Sequence, residues 1–421
     1  MKDTGSTRSN TASYMKVLLA SSALMGAAIT PGVALAEGPS FTEALLGGKA
    51  MANIRLRYEH VDQDGFSERA DAKTIRARLG YETGVYAHFS ALVEGEFITN
   101  LGAEDYNDTT NGKVTLPVIA DPNEAQLNRA QLTFTGIPDT AIIVGRQRVI
   151  LDNARFVGNV GWRQNEQTFD AAVVSTSFIP DTTLIYGYVD QVNRVFGRDH
   201  PLGTLDTSSH LLNANYSGVP GVSLTAYSYL LDIDRVAAIS TATYGLRATG
   251  KTDIADGLTL DGAVEYARQS DYANNPGNFD LDYYRGDAGL SYAGAKFGLG
   301  YEVLEGNGTN GFSTPLATLH AFNGWADVFL TTPTTGLEDL FVSAGYGVSD
   351  VLGLQKLNGA VIYHDFEAET SGASLGDEWN AVLTGVVTDN LSLTAKYATY
   401  DGPTGGPADR DKVWFQVELN Y

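Results

Sequence analysis

The chain is 421 residues long with no cysteine, and 50 acidic residues against 28 lysines and arginines give it a formal net charge of −22. The absence of cysteine excludes a disulfide scaffold and zinc–thiolate chemistry. The acidic balance speaks against nucleic acid as a partner.

At the N-terminus, Lys16 precedes an apolar run from Val17 to Ile29, and Ala34-Leu35-Ala36 forms a small-x-small cleavage pattern before Glu37. That order predicts a secretory signal peptide over 1–36, with Met15 as an alternative start, and not a membrane helix. No later stretch holds about 18 uninterrupted apolar residues, so no membrane-spanning helix is expected. Residues 37–48 read as a periplasmic lead-in, in which Ser40-Phe41-Thr42-Glu43 carries the capping-box pattern of a short helix.

From residue 49 onward the dominant signal is alternation with period two. Ile54, Leu56 and Tyr58 alternate with Arg55, Arg57 and Glu59; Ile75, Ala77, Leu79 and Tyr81 alternate with Arg76 and Arg78. Past a turn at Thr83-Gly84, Phe89, Ala91, Val93 and Phe97 oppose His88, Ser90, Glu94 and Glu96. Later reversals fall at Pro138-Asp139, Pro180-Asp181, Pro220-Gly221, Asp256-Gly257, Ala293-Gly294, Ser349-Asp350 and Asp389-Asn390. Between them lie longer polar connections at 61–72, 100–124, 150–166, 194–206, 234–239, 270–280, 306–338, 367–377 and 401–409. Short turns at one end and long loops at the other predict an all-β, transmembrane antiparallel β-barrel over 49–421. It has about 18 strands (16–18), and both termini are periplasmic. The segment 306–338 leaves room for a further strand pair around His320 to Leu330. A β-propeller would impose a repeat of about 40–50 residues, and none is visible. The 22 tyrosines and 17 phenylalanines suit the aromatic girdles of a barrel in outer-membrane lipid. The last strand sets Val413, Phe415, Val417, Leu419 and Tyr421 on one face and Gln416 and Glu418 on the other, so Glu418 is expected beside Arg55 or Arg57 at the closing seam.

If the apolar parity faces lipid, the other parity lines the lumen. It then carries Arg55, Arg57, Arg76, Arg78, Arg129, Arg146, Arg148, Arg247, Arg285 and Lys396, facing Glu59, Glu94, Glu96, Asp170, Asp261, Glu265, Asp287, Glu302 and Glu418. Guanidinium groups concentrated on strands one, two, four and five make a one-sided basic wall, which favours anions in a pore. The plainer reading is that such ladders satisfy one another's buried charge. Trp162 and Trp325 suit loop anchors more than sugar-stacking platforms. The six histidines are scattered outside any nucleophile motif, so no catalytic residue is expected, although His88 lies near Glu94. Asp62-Gln63-Asp64-Gly65 with Glu68 hints at calcium but lacks the full loop pattern, so no metal or other cofactor is expected.

Three stretches carry a resemblance. Gly145-Arg146-Gln147-Arg148 runs through Asn153-Ala154-Arg155-Phe156-Val157-Gly158 and Gly161-Trp162-Arg163-Gln164-Asn165 to Thr168-Phe169-Asp170-Ala171. With His320-Ala321-Phe322-Asn323-Gly324-Trp325-Ala326-Asp327 and the opening Arg55-Leu56-Arg57-Tyr58-Glu59, it resembles the alginate export family of outer-membrane porins. The resemblance implies a monomeric 18-stranded channel in the cell outer membrane. Its arginine-lined constriction, with Arg146 and Arg148 in the wall and Arg155 and Arg163 in the following loop, would pass an anionic polysaccharide such as a polyuronate, with periplasmic export partners. The surplus of acids departs from that pattern and leaves a second reading, a general or uptake porin for small anionic or polar solutes. An outer-membrane hydrolase is a distant third.

Overall fold

The computed structural model describes residues 39–421; the expected signal peptide lies outside the described residues. A capped helix, α1 (Phe41–Leu46), is followed by strands, with short 3-10 turns at Ala237–Ile239 and Leu319–Ala321 in the connections. The first nine are β1 (Lys49–Gln63), β2 (Ala70–Glu82), β3 (Phe89–Asn100), β4 (Glu124–Ile137), β5 (Thr140–Gln147), β6 (Thr168–Thr176), β7 (Thr182–Asn193), β8 (Thr204–Val219) and β9 (Val222–Leu231). The rest are β10 (Thr241–Ala255), β11 (Leu258–Asp271), β12 (Asp280–Tyr292), β13 (Ala295–Leu304), β14 (Leu337–Val351), β15 (Leu354–Ala368), β16 (Ala373–Val386), β17 (Leu391–Asp401) and β18 (Arg410–Asn420).

Every strand pairs antiparallel with its neighbours in sequence, and β18 returns to pair with β1, closing an 18-stranded barrel. Closure leaves no sheet edge unpaired, which is what a strand-built membrane span requires. At the seam Arg55 lies opposite Glu418 and Leu56 opposite Val417, so the expected neighbour of Glu418 is found. The two faces differ sharply: Arg55 is 5% exposed, whereas Leu56 is 41% and Phe415 56% exposed. The exterior carries Leu246, Val264, Phe297 and Leu299 among many other exposed apolar side chains, as a lipid-facing wall does.

Both chain ends described lie at the end of the barrel with short turns. Two of these turns, 293–294 and 352–353, hold both central residues at positive φ (47° and 87°, 55° and 77°), the geometry that matches hairpin twist. Beside them α1 shows its capping box, Ser40 Oγ accepting from Glu43 N–H at 3.3 Å and Glu43 Oε2 accepting from Ser40 N–H at 2.7 Å. The Tyr81 hydroxyl donates to the Leu45 carbonyl at 2.6 Å and accepts from Gly48 N–H at 2.9 Å, fixing the lead-in against β2.

The opposite end carries the long loops, and three of them fold inward: 101–123, 148–167 and 305–336. The hydrophobic core of the molecule therefore lies inside the barrel. Val149, Leu151, Phe156 and Val157 of the second loop pack on Ala171, Val173, Val189, Leu211, Tyr227 and Tyr229 of β6 to β9, and Phe312, Leu316, Trp325 and Phe329 of the third loop join them. A parallel bridge between Val157 and Leu316 ties the two loops together. No strand pair forms around His320 to Leu330; the segment is irregular apart from one 3-10 turn, Leu319–Ala321.

Candidate functional site

Most of the arginines expected in the lumen do face inward, and almost all of them hold something. The Arg55 guanidinium donates through Nη1 to the carbonyls of Gly161, Trp162 and Arg163 (3.1, 3.2 and 3.3 Å) and through Nη2 to Glu418 at 3.1 Å. Arg76 reaches the Gln164 carbonyl at 3.2 Å, Glu418 at 3.4 Å and the side chain of Asn53. Arg78 joins Glu96, Glu166 (3.4 Å) and the same Gln164 carbonyl (3.1 Å). Arg57 binds Gln416 at 2.7 Å, lies 3.8 Å from Asp121 and sits 4.2 Å over the Trp162 ring. The basic wall of β1 and β2 is thus the seat on which the tip of loop 148–167 rests. Backbone carbonyls at a loop tip need donors once they leave water, and a guanidinium fork supplies several at once.

Further round, Arg129 grips Glu94 through two bonds of 2.9 and 2.8 Å, and Arg148 bonds Glu166 at 2.7 Å through Nε and at 2.6 Å through Nη2. Arg163 takes Glu59 in a two-point fork (3.0 and 3.1 Å) and approaches Asp327 of loop 305–336 at 3.5 Å. Arg155 bonds Glu302 at 2.8 Å and Asn323 at 3.1 Å. Arg247 pairs with Glu265 at 2.6 Å, and Arg285 with Glu302 at 3.4 Å. Carboxylates are interleaved among these cations, with Glu418 shared by Arg55 and Arg76 where the two oppose one another across β1 and β2, so the lumen carries no bare basic strip. Where the groups are sealed from water, such pairs roughly break even against burial cost, but removing one partner alone is strongly destabilising.

Arg146 is the exception. It pairs with Asp170 at 2.7 and 2.9 Å, and both share the parity of Val144, which is 51% exposed on the outer wall; their neighbours Gln147, Phe169 and Ala171 take the inward side. The expectation that Arg146 and Asp170 line the lumen is corrected. Ile142-Ile143-Val144 is apolar on both faces, because the inner face of β5 and β6 packs on the buried loop 148–167, so alternation there gives no parity. Arg148 follows the end of β5 and turns inward to Glu94 and Glu166. His88 is also relocated: it lies in the short turn before β3 at φ 70°, with its ring edge-on to Phe134 at 6.4 Å. Asp62 is engaged by Arg69 at 2.8 Å, and among the described residues no group of three or more potential metal ligands is found.

Three carboxylates that sequence periodicity missed, Asp121, Glu166 and Asp327, come from the inward loops. Burial works to raise the Glu166 carboxyl, yet the Arg148 and Arg78 guanidiniums outweigh it and hold it well below the ordinary carboxylate range. Lys412 was missed as well, and it bonds Asp327 at 2.6 Å. Lys396, expected in the lumen, is caged by indoles, with Nζ 3.6 Å from the Trp325 ring centre and 4.2 Å from that of Trp162. Both tryptophans therefore serve as anchors of loop tips.

Similar architecture occurs in solved structures of Pseudomonas aeruginosa proteins, one of them described as an outer membrane protein. OpdL superposes with a TM-score of 0.67 at 20% identity, covering 90% of this chain and 99% of its own. For OccK3 (OpdO) the values are 0.68, 16%, 90% and 97%, and for OpdK 0.67, 17%, 89% and 98%. No protein-family profile matches the chain, and no curated protein matches it in sequence. The shared fold is a closed 18-stranded antiparallel β-barrel, and these likenesses give no support to the alginate export family. Together with the apolar outer wall they put the protein in the outer membrane.

Proposed function

We propose that this barrel is a passive outer-membrane channel for small anionic or polar solutes, working in the direction of uptake. One observation carries the reading: loops 148–167 and 305–336 cross the interior, the first seated on Arg55 and Arg76, the second on Arg410 of β18, and the two are joined to each other. A barrel of about 16–18 strands is wide enough for an aqueous channel, and inward loops reduce that width to solute dimensions. A polyuronate chain would need a continuous groove with guanidinium groups free to pass its carboxylates along, and here those groups already hold carboxylates and loop carbonyls. Polymer export therefore has less support than solute uptake. The short-turn end with both chain ends suits the periplasmic side, as in other such barrels. One chain closes its own barrel, so one copy suffices to conduct.

The test is reversal-potential measurement across a planar bilayer, joined to liposome swelling with small carboxylates and with uronate oligomers. Arg129 and Arg285 keep side-chain exposure to the lumen, 13% and 12%. Replacing both by Gln should lower anion preference roughly twofold or more, because fixed lumen charge sets selectivity. Cation preference in the native barrel, or swelling faster in uronate oligomers than in small carboxylates, would overturn the reading.

A further inference from the structure

We propose that loops 148–167 and 305–336 form one latch held by the neutral imidazole of His320, so that protonating it frees both tips together and widens the lumen. This is a form of regulation of the channel proposed above and rests on that reading.

His320 is buried in the 3-10 turn of loop 305–336 and has four partners, each on a different segment, one of them Trp414 of β18, edge-on at 5.7 Å. Its Nε2 lies 2.6 Å from the Lys396 ammonium on β17, its Nδ1 lies 2.6 Å from Asp327 Oδ1 in its own loop, and its ring stacks on Trp162 of loop 148–167 with 4.7 Å between centres and 5° between planes. An ammonium has protons to donate and no lone pair. The faces of Trp325, Trp162 and Trp414 at 3.6, 4.2 and 5.4 Å suit Lys396 as an ammonium, and beside an ammonium Nε2 accepts, Nδ1 carries the single ring proton and donates to Asp327, and the ring is neutral. A second ring proton would have to sit on Nε2, against the ammonium it now accepts from.

The charges around this pair come from every packed element. Asp327 also receives Lys412 of β18 at 2.6 Å and Arg163 of loop 148–167 at 3.5 Å, and Arg163 is in turn held by Glu59 of β1. Arg57 of β1 stands over the Trp162 ring at 4.2 Å. Glu378 of β16 accepts from the N–H groups of Trp325 and Ala326, and Arg410 of β18 donates to the carbonyls of Ala326 and Asp327 (2.9 and 3.0 Å). A cation forming on His320 therefore meets Lys396 at contact distance, while the one carboxylate beside it is already shared by two other cations.

Burial, with Lys396 in support, outweighs the attraction of Asp327 and pulls the imidazole down to about 3. A released imidazole returns to about 6.5. Between those values each unit of falling pH favours release about tenfold. Because Trp162 stacks on His320 and Arg163 reaches Asp327, the tip of loop 148–167 loses these two partners in the same event and is left on its remaining contacts, those with Arg55, Arg76 and Arg78 among them.

Single-channel recording of the full barrel from pH 7 to 4 provides the test, together with hydrogen exchange of residues 319–329 and 159–165 over the same range. The native barrel should gain conductance as the pH falls, and both segments should lose protection with one midpoint. His320→Gln should lack that transition. Lys396→Met should move its midpoint up by about one pH unit, a shift that lost packing alone would not produce. Constant native conductance, an unaltered transition in His320→Gln, an unmoved midpoint in Lys396→Met, or loss of protection in one segment alone would each overturn the latch. A barrel that conducts at no pH overturns the channel reading instead, and hydrogen exchange still reads the latch in that case.

Discussion

Glu166 shows how a single side chain can hold a loop. It is buried, and its oxygens take Arg148, the Asn128 amide at 2.6 Å and the Asn159 amide at 2.7 Å, with Arg78 at 3.4 Å. Its carboxyl is held well below the ordinary range, so the sign of its pH dependence is fixed. The stabilisation is fully present above the unfolded value of about 4.3 and is lost as the pH falls toward the lower folded value. Loop 148–167 should resist proteolysis unchanged from pH 7 to about 5 if Glu166 alone governs it, with loss confined to stronger acid; the His320 latch would add an earlier component. Glu166→Gln should strip that resistance at neutral pH, because breaking one side of a buried pair costs about 3–5 kcal/mol. Resistance equal to the native barrel at pH 7 would show that the loop is held elsewhere. Gly324 is constrained differently. Its φ is 84°, and a Cβ at this position would collide with the Glu378 carboxylate, so no side chain fits. Gly324→Ala should therefore unseat the tip of loop 305–336 and raise conductance at neutral pH, and unchanged conductance would refute that role.

Strands and loops differ in how far their sequence could be read. Arg55 to Glu59 alternate cleanly because one face meets lipid and the other meets charge, so parity, strand number and the seam at Glu418 were legible. The three-residue apolar run at Ile142 was not, since a loop covers that inner face and both sides became apolar. Asp121, Glu166 and Asp327 had no periodicity to reveal them: irregular loops are positioned by the wall they land on, and that wall is assembled from distant strands. The seam itself is testable as an element. Val417 pairs with Leu56 on one side and Leu393 on the other. Val417→Pro removes a ladder donor in the middle of a closed sheet, a position where proline is not accommodated. It should abolish the heat-modifiable band of the folded barrel on a gel, whereas Val417→Ile should preserve it.

At the scale of the whole molecule, the net charge of −22 and an arginine-bearing lumen are reconciled by position. Acids crowd the outer parity near the long-loop end, where Asp365, Asp377 and Asp401 lie directly opposite one another across β15, β16 and β17, Glu338 opposes Glu367, and Asp62 opposes Asp411. Like charges placed opposite one another in a sheet repel, and at the rim water and salt relieve that repulsion. The lumen arginines sit in narrower, drier surroundings and are screened less. Raising salt from 0.1 to 1 M shortens the screening length from about 10 to about 3 Å. The rim's repulsion of anions should fade over that range while the lumen's attraction persists, so the anion-to-cation permeability ratio should rise with salt. A pore with uniformly exposed charge would lose selectivity instead. Asp365→Asn combined with Asp377→Asn and Asp401→Asn should raise the ratio at 0.1 M and flatten its dependence on salt. A ratio that declines toward one in the native barrel would mean that the charges governing permeation lie in open water.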